Sequence, residues 1–191
     1  MRKLVYFVAV SVDGCIAGPR GEYDFYPMEG DHITAQVEEL PETIPRHMRE
    51  ALGLPARQVR FDTVVMGRGT YEPGLAVGSA DPYHPLETVV LSRRLPPKQE
   101  GSLRITPEDP IAVVRALKAR TGRDIWLCGG GALAGYLAGE IDEWVVKVNP
   151  VLAGDGIRLL AGGFHPRKLK LRDRRSFTSG VTWLTYDAIR E

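Results

Sequence analysis

Apolar positions along the chain gather into short runs separated by polar and glycine-rich breaks. Residues 4–12 (LVYFVAVSV) are almost continuously apolar, β-branched and aromatic, which predicts a strand buried in the middle of a sheet. Residues 13–22 (DGCIAGPRGE) have the glycine and proline content of a loop. The pattern predicts a helix over 31–40, with Asp31 near its start, and a shorter helix over 45–52. "FDTVVMGRGTYE" reads as a strand over 62–66, a glycine and a helix start, and "LETVVLSRRL" (86–95) as a strand running into Ser92 and two arginines. Residues 102–105 form a short strand. Thr106 is the predicted cap of the next helix, with Pro107 at its first position and Ile111, Val114, Leu117 and Lys118 along one face. A strand over 125–128 and a short helix over 132–138 follow.

Beyond residue 140 the alternation stops. Residues 141–152, 168–177 and 181–190 read as strands without intervening helices, and "SG" at 179–180 marks a tight turn between the last two. Strands alternating with helices call for parallel pairing, and late hairpins for antiparallel additions at an edge. The expectation is one α/β domain over residues 1–191, with a central mixed, mostly parallel β-sheet flanked by helices and a C-terminal antiparallel hairpin.

Composition narrows the functional classes. The 191 residues carry a formal net charge of +1, with 43% hydrophobic and 26% charged residues. That balance offers no bulk attraction for nucleic acid or a membrane surface, so any basic site is local. "MRKLVYFVAVSVDG" begins like a secretory leader, but its valine alternation, Asp13 and the lack of a small-residue cleavage site favour a first strand and a cytoplasmic protein. Cys15 and Cys128 have no partner spacing for a metal and read as buried reduced thiols; no metal site is expected.

Chemistry concentrates at three strand ends. In "DIWLCGGGALAGYLAG" (124–139) a strand passes through Gly129, Gly130 and Gly131 into a helix. Glycine lets phosphate oxygens approach the backbone, and a helix start offers unpaired N–H groups. A tight turn with close packing accounts for the same triplet equally well. Gly129, Gly131 and Ala134 also match the dinucleotide fingerprint, but the region about 20 positions on, where that fingerprint needs an acidic residue, holds Lys147 and Asn149, and no further βα units follow, so a standard Rossmann domain is not expected. "VVMGRGTYE" sets Gly67, Arg68 and Thr70 after a second strand, and "VVLSRRL" sets Leu91, Ser92, Arg93 and Arg94 after a third. In a parallel sheet these loops share an edge. A single arginine is most often a solvated charge; guanidinium groups together beside a glycine-rich helix start favour anion binding.

"MGRGTYE", "VLSRRL" and "WLCGGGALAGYL", in that order, resemble the cofactor motifs of the dihydrofolate reductase-like superfamily. The opening "VAVSVDGCIAG" and "VNPVLAGDGIRLL" (148–160) are similar to one branch, that of the riboflavin-biosynthesis reductase domain and its stand-alone relatives. The resemblance covers nearly the whole chain and implies NADPH. It implies that Gly67, Arg68 and Thr70 hold phosphate groups, and that Leu91, Ser92 and Arg93 or Arg94 grip the adenosine 2′-phosphate. Cys128, Gly129, Gly130 and Gly131, with the amides of Ala132 and Leu133, cradle the pyrophosphate, the first glycine pair through a cis peptide. Val8, Ala9 and Ile16 line the nicotinamide. The branch further implies a homodimer through the late strands, for which the Trp144 and Trp183 strands are candidates if these residues are not core.

No nucleophile is required for hydride transfer, and the motifs contain no Ser-His-Asp or Cys-His set. The proton source is open. Folate-reducing members carry an acid on the first helix after a tryptophan–proline motif; residues 17–30 (AGPRGEYDFYPMEG) lack that motif, which argues against dihydrofolate. Asp13 and Glu38 are the catalytic candidates, Asp13 reading equally as a loop former and Glu38 as a surface charge. Tyr23, Phe25 and Tyr71 suit stacking on a flat heterocycle or anchoring of their own segments, and Asp155 suits substrate contact or a turn. The phosphosugar-binding signature of a true riboflavin-pathway reductase is not evident, and no zinc-deaminase motif is present. Three functions follow: a reductase of a pteridine-, pyrimidine- or quinone-like molecule, a nucleotide-binding module without turnover, or a mononucleotide-using transferase.

Overall fold

The computed structural model describes residues 1–76 and 78–189. Strands β1 (Leu4–Ser11) and β2 (Cys15–Ala17) precede helix α1 (Asp31–Glu39), a 3-10 turn at Pro41–Thr43 and helix α2 (Arg46–Ala51). Strand β3 (Phe61–Gly67) runs directly into helix α3 (Arg68–Ala76), followed by β4 (Glu87–Leu91), β5 (Lys98–Glu100) and β6 (Leu103–Thr106). Helix α4 (Pro110–Ala119), β7 (Asp124–Leu127) and helix α5 (Gly131–Tyr136) come next. The chain closes with β8 (Glu143–Asn149), β9 (Ile157–Arg158), β10 (Leu169–Ser176) and β11 (Thr182–Ala188). The predicted strand over 181–190 is β11; its last position, Arg190, lies outside the described residues.

Among the described residues nine strands form one sheet in the order β10-β11-β8-β1-β7-β3-β4-β6-β5. From β8 to β6 all neighbours are parallel, while β11 and β10 on one edge and β5 on the other run antiparallel. Two apolar layers cover the sheet. One joins Tyr6, Val8, Val10, Leu127 and Trp144 to α4 and α5 through Val114, Leu117, Ala134 and Leu137. The other joins Val5, Phe7, Met66, Val90, Trp126 and Cys128 to Tyr71 and Leu40. Both faces of the central strands are therefore buried, which is why β1 reads as a continuous apolar run.

Several expectations need correction. Helix α4 is capped by Asp109, whose carboxylate accepts from the Ala112 amide at 2.9 Å, with Pro110 at its first position. Thr106 instead ends β6 and pairs with Leu91, so the later Asp-Pro displaces the earlier Thr-Pro as the helix start. The bond between Gly129 and Gly130 is trans; among the described residues only His84–Pro85 is cis. The chain reverses there through left-handed backbone, with φ of 61° at Gly129 and 75° at Gly130, a conformation open to glycine. Trp144 and Trp183 are both buried, in edge contact with Tyr6 and Phe7 respectively, so they belong to the core. The strands β2, β5 and β9 are too short to leave a periodic signal.

Candidate functional site

Strands β7, β3 and β4 are adjacent and parallel, with Val65 opposite Leu127 and Gly67 opposite Leu91. Their carboxyl ends bring the loops at 67–70, 91–95 and 128–133 onto one rim, beside β1. The glycine turn packs directly on α3. A methyl at Gly129 would lie 3.1 Å from Thr70 Oγ1, and one at Gly130 3.6 Å from it, so a side chain at either would fill the space between the two loops. This side-chain-free notch at the start of α5 fits a phosphate-bearing cofactor.

The third glycine has a different cause. A methyl on Gly131 would overlap the Arg158 carbonyl oxygen, and one on Gly135 the Ala161 carbonyl oxygen. The backbone of 158–161 lies directly across α5, with the Ala161 amide donating to the Gly131 carbonyl at 2.9 Å and the Tyr6 hydroxyl donating to Leu159 O at 3.0 Å. The Leu159 amide donates in turn to Gly14 O, tying this strap to the loop after β1. Cradle and close packing thus divide the triplet between them.

The basic residues differ in their partners. Arg68 is held by both carboxylate oxygens of Glu72 at 2.7 and 2.9 Å. Arg93 and Arg94 are exposed and form no ion pair among the described residues. Ser92 Oγ accepts from the Arg94 and Leu95 amides at 3.1 and 3.0 Å, which fixes the turn presenting both guanidinium groups. Val8 and Leu91 are buried in the first apolar layer, with Ile16 and Leu133 packed against it, and Ala9 lies at the carboxyl end of β1.

The acid candidates divide sharply from the rim. Asp13 accepts from the Ser11 hydroxyl at 2.6 Å and the Ala153 and Gly154 amides at 3.0 and 2.7 Å. These bonds, the Ser11 hydroxyl first, bring its carboxyl down to about 2, so it is an ionised tie between two loops. Glu38 is exposed on α1. Tyr71 is buried, its hydroxyl donating to Ala80 O at 2.9 Å, which makes it an anchor for 71–80 and not a stacking face. Asp155 accepts from the Gly156 amide at 2.8 Å within its own turn. Tyr23 is exposed, and Phe25 lies 4.4 Å from the Tyr26 ring, whose hydroxyl donates to Cys15 O.

A polar group that motif reasoning passes over lies on the second-layer face. Lys147 on β8 is opposite Ala9, donates to Gln36 Oε1 on α1 at 2.7 Å and stands 4.4 Å over the Phe7 ring. Burial lowers its ammonium to about 8. Nearby, Cys128 lies 3.7 Å from the Tyr83 hydroxyl, and burial raises the Cys128 thiol to about 12, which keeps it protonated. The available signal was one lysine inside the apolar run "EWVVKVN". Two concavities, of about 340 Å3 beside Glu39, Arg60 and Trp183 and about 410 Å3 around Met1 and Lys118, include none of these rim residues.

Fold and rim define a chain with the dihydrofolate reductase-like architecture. A family model described as "RibD C-terminal domain" matches residues 2–185, and the chain belongs to that family. It is 29% identical over 185 residues to the uncharacterized protein YwjB of Bacillus subtilis (strain 168), covering 94% of this chain and 95% of that one. A Shewanella sp. PV-4 crystal structure, of a protein provisionally assigned to riboflavin biosynthesis, aligns over 100% of both chains with TM-score 0.72 and 23% identity. The Thermotoga maritima diaminohydroxyphosphoribosylaminopyrimidine deaminase/5-amino-6-(5-phosphoribosylamino)uracil reductase aligns with TM-score 0.67 and 14% identity. That alignment takes in 98% of this chain but 57% of the Thermotoga protein, so the chain spans little more than half of that relative. Among the described residues no helix is long and apolar enough to cross a membrane.

Proposed function

We propose that residues 1–191 form one NADPH-dependent reductase domain acting on a small planar heterocycle of pteridine or pyrimidine type, with a riboflavin-related substrate the leading class. The observation that carries this reading is the convergence of three loops on adjacent parallel strand ends. The notch between Thr70 and Gly129–Gly130 would receive the pyrophosphate, and Arg93 and Arg94 the 2′-phosphate. Bound there, the cofactor supplies hydride. The chain's own residues bind and orient it, and Val8, Ala9 and Ile16 close one side of the nicotinamide against water.

Fluorescence titration with NADPH, NADH and ATP tests this reading. NADPH is expected to bind most tightly, and tightest binding of ATP would replace the reductase with a mononucleotide-using enzyme. A nucleotide-binding module without turnover is the second reading, favoured because Asp13 is locked as a carboxylate and Glu38 faces solvent. Oxidation of NADPH by any flat heterocycle eliminates it. We also assign a homodimer through the antiparallel edge: all eight residues of β10 are exposed, including Leu169 and Leu171, and a second copy would cover them. The free cysteines Cys15 and Cys128 accord with a cytoplasmic setting.

A further inference from the structure

We infer that Lys147 is a substrate-recognising cation, and that a planar heterocycle bearing an anionic oxygen docks where β8 meets β1 and α1. This rests on the reductase reading for its location, because Lys147 lies opposite Ala9, a residue of the proposed nicotinamide end, and beside Cys128, which precedes the glycine turn. The inference itself rests on the surroundings of the ammonium.

An ammonium has three donors. One is taken by Gln36 Oε1 at 2.7 Å, and the Phe7 ring 4.4 Å away covers another side. Among the described residues no carboxylate pairs with Lys147. Of the acidic groups of α1, Glu39 pairs with Arg175, Asp31 is held by the Thr178 and Ser179 amides, and Glu38 is exposed. Cys128, its titratable neighbour on the sheet side, and Tyr83, which contacts Cys128, are held in their neutral forms by burial.

A cation taken from water and given only a neutral amide and an aromatic face is poorly compensated. Methionine or leucine would fill the same space against Phe7 and Val145 without that cost. The residue as a whole keeps partial exposure. An oxyanion seated on Lys147 would supply the missing counter-charge. The aromatic rings on this face, Phe7 and Tyr83, favour a carrier that is flat. A neutral ring of the same shape would gain the packing without the charge.

Barbiturate and uracil are the probes, since they share a pyrimidine ring and only barbiturate is an oxyanion at neutral pH. Calorimetric titration of the full chain should give barbiturate at least about tenfold tighter binding than uracil, the scale of one charge-assisted hydrogen bond. Lys147→Met should erase the difference and Lys147→Arg should keep most of it. Lys147→Met should also melt at a higher temperature than the parent. Equal affinity for the two probes, no measurable barbiturate binding, a difference that survives in Lys147→Met, or a lower melting temperature of that variant would each overturn the inference. NADPH titrated into the same proteins separates the two levels. Failure of both parent and variant to bind NADPH would refute the reductase reading, and the barbiturate comparison would still decide the role of Lys147.

Discussion

Gly135→Ala is the sharpest test of the strap across α5. Gly135 has ordinary helical backbone, so by helix propensity alone the substitution stabilises by about 1 kcal/mol. Here the added methyl meets the Ala161 carbonyl oxygen, which is backbone and cannot swing aside. The strap must lift. Overpacking of this kind costs about 1–3 kcal/mol. Lifting also breaks the Ala161 amide bond to Gly131 O and the Tyr6 hydroxyl bond to Leu159 O, each worth about 1 kcal/mol net. After the propensity gain, the balance is a destabilisation of about 2–4 kcal/mol. For a chain of this size that lowers the melting temperature by about 4–16 °C. Urea denaturation followed by tryptophan fluorescence, with calorimetry for the midpoint, measures both quantities. Gly69→Ala is the internal control, because a methyl there meets nothing within 4 Å and should be neutral or mildly stabilising. A Gly135→Ala protein as stable as its parent would refute the close approach of 158–161 to α5.

Two further outcomes follow from the rim and the loops. Arg93→Ala or Arg94→Ala should weaken NADPH at least about tenfold while changing NADH little, since a charge-assisted contact to the 2′-phosphate is lost; equal losses, read by fluorescence titration, would show that neither arginine reads that group. Asp13 has its carboxyl held at about 2, below the ordinary 3.8, so its contribution to stability is present above about pH 4 and is lost as pH falls toward 2. The stability gap between the parent and Asp13→Asn, measured by urea denaturation, should therefore be open at pH 7 and closed near pH 2; a gap independent of pH would contradict the tie to Ala153 and Gly154.

The sequence made the sheet legible where local pattern and burial coincide. β1 is a nearly continuous apolar run because its parallel neighbours and the apolar layers on both faces enclose it. It misled where two local signals compete: Thr106-Pro107 and Asp109-Pro110 are both helix starts by composition, and only the pairing of Thr106 with Leu91 decides between them. The glycine triplet was visible, but the reason for Gly131 lies in a strap far along the chain that no local motif announces. Asp13 has the same character, since its partners Ala153 and Gly154 are distant in sequence. Lys147 stood out as one polar residue in an apolar run. Its partners come from β1 and α1, and only folding reveals that they include no carboxylate.

The order of strands bears on which nucleotide the rim can take. Moving along the edge, Ser92–Arg94 follow β4, Arg68 and Thr70 follow β3, the glycine turn follows β7, and Ala9 lies in the carboxyl-terminal half of β1. These are consecutive neighbours at about 4.8 Å per strand, so the arginine turn and Ala9 are separated by about 14 Å across the sheet. On the proposed reading that sequence of loops runs from 2′-phosphate through pyrophosphate to nicotinamide, the order of those groups along the coenzyme. A mononucleotide with its phosphates in the glycine notch would engage the arginine turn or the end of β1, but not both. The geometry therefore favours a ligand with two nucleoside units joined at the notch, and it leaves the β8 side, with Lys147, for the second substrate.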